Sequence, residues 1–592
     1  MKKPELKKLS RSEKLKYLLY LLVGISFIFL IIYPIYGIDV WYWLYRIDAL
    51  ADYVQNYGIM ELPMRITESA YGGYGYGAPL FYGDIFLVIP SLFVAAGVPL
   101  LGGYCLLALE LWGGRFFIAY FSARYFLKRM KINNLGDHKY VALAFAFFYE
   151  FFPYMVECLF ARAAMGEVSA SMILPLIAGS FYVLIFAEKA EKKDAVLLAV
   201  GMSVLICSHV LSTAIICCLL AVFLLCHIGT FIRQKRVKYL VLAVILTVVL
   251  TAYWSLPFVE QMLQSYITVN GVAGEASLYG SRVNLVELLF PNVLYSFYFL
   301  YQNGYDMGIN SFWPSCYIYM LLLAVVLCFC KKEKWKESLP MRLVGYSCIF
   351  AVFISCGAIL RIADNISILR VLQFPWRLLL IVALFLAVSL TYYYFKSEKK
   401  FFKNLILVVA FGCTVTAGVR NVYFMATSGK EVISTALEEK GADSFADSLY
   451  QPKGASKAKM EERGDVVLSS SSSLNYTWSR ENGAVTVTYA DCKEESVLEF
   501  PLLYYYGYSA YDSENDCYLP LEKSENGLIA VTIGTNETGT IIVSYSGTTV
   551  QQVSNWISLL GWIGIVIFGC LQIKKSGKLT KTASHIAFDA KL

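Results

Sequence analysis

Six arginines, Arg46, Arg65, Arg162, Arg361, Arg370 and Arg377, fall between apolar runs, on the side of the chain opposite its lysine-rich connectors. Short outer loops of membrane proteins are depleted of Lys and Arg, so arginines kept there call for another cause. A guanidinium fork grips phosphate through two parallel hydrogen bonds, which makes an anionic ligand the economical explanation. Asp39 lies close by, directly after the first apolar run. A carboxylate so placed can take the proton of a hydroxyl nucleophile. It can equally mark a helix–water boundary or cap the helix that follows.

The other candidates sit in short motifs. Arg377 ends LQFPWR (Leu372–Arg377), where Pro375 can open a helix, Trp376 suits a membrane interface and Gln373 adds a supporting amide. This aims Arg377 at a phosphate near the lipid headgroups, with Arg370 a weaker version of the same case; ordinary phospholipid would satisfy both. In RAAMGE, Arg162 and Glu167 either pair with each other, or Arg162 meets a phosphate while Glu167 orients a sugar or a metal. His209, between two apolar runs, is either a satisfied boundary residue or a ligand or acid. Asp84 and Glu260 are further carboxylates of the same kind. The Tyr/Gly stretch Gly72–Gly77 offers aromatic faces and tight backbone, which suits sugar stacking or an interfacial belt.

What must position these residues is a membrane-type chain. Its 592 residues are 58% hydrophobic and 16% charged, with a mean hydropathy of +0.56, outside the range of soluble domains. A hydrocarbon core needs roughly 20 apolar residues per helix, and the chain supplies about twelve such runs. The net charge of +7 comes largely from lysine-rich connectors such as Lys128–Lys131 and Arg233–Lys238, so it reports topology rather than nucleic-acid binding. Placing the connectors inside puts both termini in the cytoplasm. The basic N-terminus and the run at 16–36 then read as an uncleaved signal anchor. Residues 79–98, apolar but carrying Asp84 and Pro90, read as outer juxtamembrane or re-entrant helices within a long first loop, 37–103. Segment 422–553 alternates polar and apolar residues (AVTVTYA, GLIAVTIG, GTIIVSYSG) between Asn-Gly and Gly turns, the pattern of antiparallel strands in an outer, sandwich-like β-domain. Cys492 and Cys517 within it can form a disulfide, although spacing alone does not supply the geometry. The chain therefore divides into a transmembrane part (1–421), a β-rich part (422–553), and a last span with a cytoplasmic tail (554–592). No Walker A, dinucleotide GxGxxG after a strand, HExxH or paired CxxC is present.

Taken in order, Asp39…Arg46, GGYGYGAPLFY, RAAMGE (Arg162–Glu167), Ser208-His209, YWSLP (Tyr253–Pro257), LQFPWR and FPLLYYYGYSA (Phe500–Ala510) resemble the GT-C superfamily of integral-membrane glycosyltransferases. The nearer resemblance is to bacterial membrane proteins described as YfhO-like or 6-pyruvoyl-tetrahydropterin-synthase-related. It covers most of the chain. It implies a GT-C-like helical fold in a bacterial plasma membrane, with Asp39 as general base or acceptor-positioning group, sometimes with a divalent metal such as Mg or Mn. It also implies a polyprenyl-phosphate-linked sugar as donor, held by Arg377, Arg370, Arg162 and Arg46, with Glu167, His209, Asp84, Gln373 and Trp376 in support. The acceptor would be an envelope glycan or glycopolymer. Two other classes of function remain open on the residues alone: a flippase or transporter of a lipid-linked glycan, and a non-catalytic envelope scaffold.

Overall fold

The computed structural model describes residues 39–589 apart from 161, 265, 268–276, 284–316, 332–333, 336–337, 371, 428–447, 491 and 536–537. The expected anchor at 16–36 lies outside the described residues. Six described helices are long and apolar enough to cross a membrane: Leu100–Arg129, Met165–Phe186, Val237–Leu263, Pro375–Lys396, Lys400–Gly418 and Thr549–Gln572. Two bent pairs raise the number to eight. His138–Glu150 turns by 53° into Pro153–Phe160, and Leu339–Ser355 turns by 78° into Gly357–Ala363. Of the runs read as about twelve spans, six to eight among the described residues form helices of full spanning length. Val210–Cys226 and Tyr317–Cys330 are apolar but short. The first bend falls at Pro153, whose missing N–H and fixed φ disfavour an unbroken helix. Many large apolar side chains on these helices are exposed, among them Phe117, Phe121, Val244, Val248, Leu560 and Val566. A wide apolar belt of this sort fits a multi-pass membrane protein.

Antiparallel helices define two ends. At one end the basic connectors pair locally: Arg129 with Glu191 and Asp194, Lys131 with Glu188, and Arg236 with the carbonyls of Ala187 and Glu188. At the other end lie the first loop, the starts of Met165–Phe186 and Val210–Cys226, the LQFPWR turn, and the β-rich region. In place of a span over 79–98 there are two short helices, Ala78–Phe81 and Val88–Ala95.

Among its described residues, the β-rich region holds nine strands: β1 (Leu468–Ser469), β2 (Asn475–Glu481), β3 (Ala484–Ala490), β4 (Ser496–Leu503), β5 (Tyr508–Asp512), β6 (Cys517–Leu519), β7 (Leu521–Lys523), β8 (Leu528–Ile533) and β9 (Thr538–Tyr545). They form two antiparallel sheets, ordered β1-β4-β8-β7 and β2-β3-β9-β5-β6. Period-2 alternation sends Val485, Val487, Leu498, Phe500, Val531, Ile541 and Val543 into one shared apolar core. Asn482 and Gly483, both at positive φ, make the two-residue turn between β2 and β3. The helix before this region runs to Thr427, past residue 421. Cys492 is buried, Cys517 is exposed, and both are free thiols.

The Tyr/Gly stretch is the joint between the helices and the sheets. Tyr74 accepts at its carbonyl from the Leu503 N–H (2.8 Å) and donates from its hydroxyl to Gly464 (2.6 Å). Arg480 reaches the Gly73 carbonyl, and Tyr76 accepts from the Tyr450 N–H at 3.1 Å. Gly77 lies against the Tyr505 ring, where an added Cβ would stand 2.6 Å from a ring carbon. Arg65 belongs to this joint as well. It donates to the Tyr253 carbonyl (2.7 Å) and Asn555 (2.9 Å), fastening the first loop to two long helices.

Candidate functional site

The helix Val40–Tyr57 begins at Asp39, which occupies the N-cap position without making a side-chain capping bond. Asp39 is exposed. Its backbone N–H donates to the Arg162 carbonyl at 3.0 Å, placing it on the edge of the RAAMGE loop. Trp43, one turn on, donates its indole N–H to the Ala163 carbonyl at 2.8 Å. Ala163 has φ +53°, a left-handed conformation that closes the end of the Pro153–Phe160 helix and turns the chain into Met165–Phe186. Local backbone thus holds Asp39, Arg162 and Glu167 within one corner.

Glu167 lies in the first turn of its helix, where a carboxylate complements the partial positive charge of the N-terminus. Arg162 grips it with two bonds, Nη1 to Oε2 and Nη2 to Oε1, each 2.9 Å. Arg377 adds a bond from Nε to Oε1 at 3.0 Å, and the Tyr154 hydroxyl donates to Oε2 at 2.5 Å. The paired reading of Arg162 and Glu167 is therefore seen, and a second arginine from 210 residues away joins it. Two cations thus share one buried carboxylate. Nη1 of Arg377 is turned by Leu372 and by Gln373, whose Oε1 accepts at 2.7 Å. Gln373 itself sits at φ +59°, an uncommon conformation for a residue with a side chain. Trp376 stacks on Phe374 with ring centroids 4.7 Å apart. Arg370 stands one turn earlier, and its carbonyl accepts from the Gln373 N–H.

Arg46 is brought to a different partner. It pairs with Asp84, donates to the Tyr82 carbonyl at 2.7 Å, and lies over the Tyr82 ring, 4.9 Å from its centroid. Burial alone would lower the Arg46 pKa, but Asp84 together with the neighbouring Tyr42, Tyr82 and Tyr450 outweighs it and holds the guanidinium charged, above its ordinary value. Burial raises the Asp84 carboxyl against the pull of Arg46. Arg361 lies elsewhere at this end, over the Tyr279 ring, and donates to its hydroxyl at 2.7 Å.

His209, in the break between two helices, is buried and caps Val210–Cys226 by accepting from the Ser212 N–H; its Nδ1 also lies 2.7 Å from the Ser212 hydroxyl. Its ring and the Tyr82 hydroxyl crowd Gly166, where an added Cβ would stand 2.5 Å and 2.0 Å from them. Burial first, then the charges of Arg377 and Arg162, push the imidazole down to about 3. The folded chain then leaves this ring neutral where the unfolded chain, at about 6.5, protonates it. Stability from His209 is present above pH 6.5 and is lost as pH falls toward 3. The thermal midpoint of wild type is expected to fall more steeply over that window than that of His209→Asn, in a side-by-side pH series of melts.

Some of what builds the site is not visible in the motifs. Tyr154, Trp43 and Tyr82 carry ordinary aromatic signatures in aromatic-rich stretches. Gly83 matters for space: an added Cβ would stand 1.8 Å from the backbone carbonyl oxygen of Cys207. A backbone atom cannot swing aside, so Gly83→Ala is expected to destabilise the chain by about 1–3 kcal/mol. Melting of the purified variant against wild type measures it. Trp43, Tyr82, Gly83, Met165, Gly166 and Ser208 help line a cavity of about 20 Å³, enough for one water.

Among the described residues, no three His, Cys, Asp or Glu side chains converge as a metal-ligand set. The divalent ion suggested by resemblance therefore finds no such set there. No protein-family model matches the chain, and no curated protein matches it.

Proposed function

We propose that the chain is a membrane glycosyltransferase, GT-C-like, working at the end of the helices that carries the β-rich region. The observation that carries this reading is the pair Arg162 and Arg377 sharing Glu167, at the corner where the backbone of the exposed Asp39 meets the Arg162 carbonyl. A polyprenyl-phosphate sugar would place its phosphate against the arginines, with Nη2 of Arg377, which has no protein acceptor among the described residues, available to it. Asp39 takes the proton of the acceptor hydroxyl. The acceptor oxygen bonds to the anomeric carbon as the carbon–oxygen bond to phosphate breaks, and the phosphate leaves with the electron pair. Arginines stabilise the charge that develops on it. Arg46 and Asp84 neutralise each other and serve to hold the Tyr82 segment against the site. The acceptor is an envelope glycan or glycopolymer, and the setting is a bacterial plasma membrane with the basic connectors inside.

The transporter reading draws on one observation. Arg115 and Glu150, fully buried within the helices, form a two-bond pair at 2.9 and 3.1 Å, with Ser171 as a third partner. Intramembrane charges often mark a pathway, but a pair closed on every side fits a fixed brace between helices better. Envelope sugar analysis separates the readings in a deletion strain complemented with wild type or Arg377→Ala at matched membrane levels. A transferase restores one defined sugar only with wild type. A transporter leaves the lipid-linked sugar accumulated inside on deletion, and a scaffold changes neither.

A further inference from the structure

A second, larger cavity of about 570 Å³ opens where the β-rich region meets the helices, and it shares no lining residue with the small cavity beside Glu167. Its size lies within the range of small-molecule sites. Its walls include Tyr504, Tyr506, Tyr508, Glu260, Ser509 and Ser546. Glu260 comes from the end of the helix Val237–Leu263, and Thr548, which donates to it at 2.7 Å, precedes the final helix.

The turn that presents the tyrosines is held from both sides. Gly507 has φ +123°, and its carbonyl accepts from the N–H groups of Ser546 and Gly547, each at 3.1 Å. An added Cβ there would stand 2.9 Å from the Tyr545 ring. Below the turn, Gln261 donates to the Tyr506 carbonyl (2.6 Å), and the Tyr266 hydroxyl accepts from the Tyr506 N–H (3.1 Å). These bonds use only the backbone of Tyr506, and its side chain is 40% exposed. Ser509 and Ser546 hydroxyls lie 3.1 Å apart, and each hydroxyl can serve both as donor and as acceptor.

The lining contains one acidic residue and no lysine or arginine. That is the reverse of the arginine-rich corner at Glu167, and it disfavours phosphates and other anions. The exposed Tyr506 ring, beside hydroxyls and one carboxylate, is instead a surface on which an uncharged sugar ring can stack and hydrogen-bond, with Tyr504 and Tyr508 packed behind it against Tyr266 and Tyr545. We propose that this cavity binds a neutral oligosaccharide. The assignment does not depend on the transferase reading, since it holds equally for a chain that only recognises glycans.

The test uses the full chain, purified in detergent, titrated with unbranched neutral tetrasaccharides of glucose, galactose or N-acetylglucosamine and followed by saturation-transfer NMR and tyrosine fluorescence. At least one is expected to bind saturably. Tyr506→Ala should weaken it about tenfold through loss of a stacking face, and Tyr506→Phe by less. Glu260→Gln should weaken it too, whereas Asp39→Asn should bind as wild type. Melting curves identify any variant that has lost its fold, and Tyr506→Phe keeps the test open if Tyr506→Ala does so. The proposal is overturned if none of the sugars binds, or if binding ignores both Tyr506 and Glu260. It is also overturned if the cavity retains co-purified lipid that no sugar displaces.

Discussion

Glu167→Gln is expected to cost the folded protein about 3–5 kcal/mol, the range seen when one partner of a buried ion pair is removed. The reason is geometric. Arg162 and Arg377 both spend bonds on this carboxylate, and neither has another anion among its described hydrogen-bond partners. A neutral amide leaves two guanidinium groups facing each other with little water between them. Tyr154 loses the anionic acceptor of its hydroxyl in the same step. Membrane yield and the melting midpoint of the purified chain measure the loss. Glu167→Gln combined with Arg162→Met should recover part of it, because one of the uncompensated charges is gone. An unchanged midpoint for Glu167→Gln would show that the carboxylate does not hold this corner together.

Asp39→Asn should behave in the opposite way, sparing the fold and removing the activity. Asp39 is exposed, its side chain does not cap the helix it precedes, and the amide keeps its size and shape. The contact that ties it to the RAAMGE loop is made by its backbone, which the substitution keeps. An amide cannot accept the proton of the acceptor hydroxyl, and loss of a positioned base typically costs about 10²–10⁴ in rate. The expected outcome is a matched melting curve with transfer reduced by that factor. The pairing of these variants is informative: one carboxylate of the corner is structural in its main effect and the other chemical.

Much of this architecture can be read from residue patterns, and the unread part has identifiable causes. Alternation in AVTVTYA, GLIAVTIG and GTIIVSYSG marks β3, β8 and β9, because a strand with one buried face must repeat every second residue. The Asn482-Gly483 turn is legible for the same local reason. Helix counting is less secure, since a run such as 139–157 reads as one span while the chain bends by 53° within it. Within the candidate site, Arg162 and Glu167 are five residues apart and visible as a pair, but the arrival of Arg377 depends on how distant helices pack. Arg65 shows the converse: its type and position suggest a ligand, and its bonds to Tyr253 and Asn555 make it a structural tie. Nor does any motif announce that Gly83 must lie against the Cys207 carbonyl, because close approach between remote backbones leaves no periodic trace.

The most direct test places the purified chain in lipid vesicles with a polyprenyl-phosphate hexose carrying a radiolabelled sugar, adds envelope extract as acceptor, and follows the label. Wild type is predicted to move it from the lipid to the envelope fraction, releasing polyprenyl phosphate in equal amount, while Asp39→Asn leaves it on the lipid. Label that stays on the lipid with wild type, or moves equally with Asp39→Asn, would contradict the assignment of this corner as a glycosyl-transfer site.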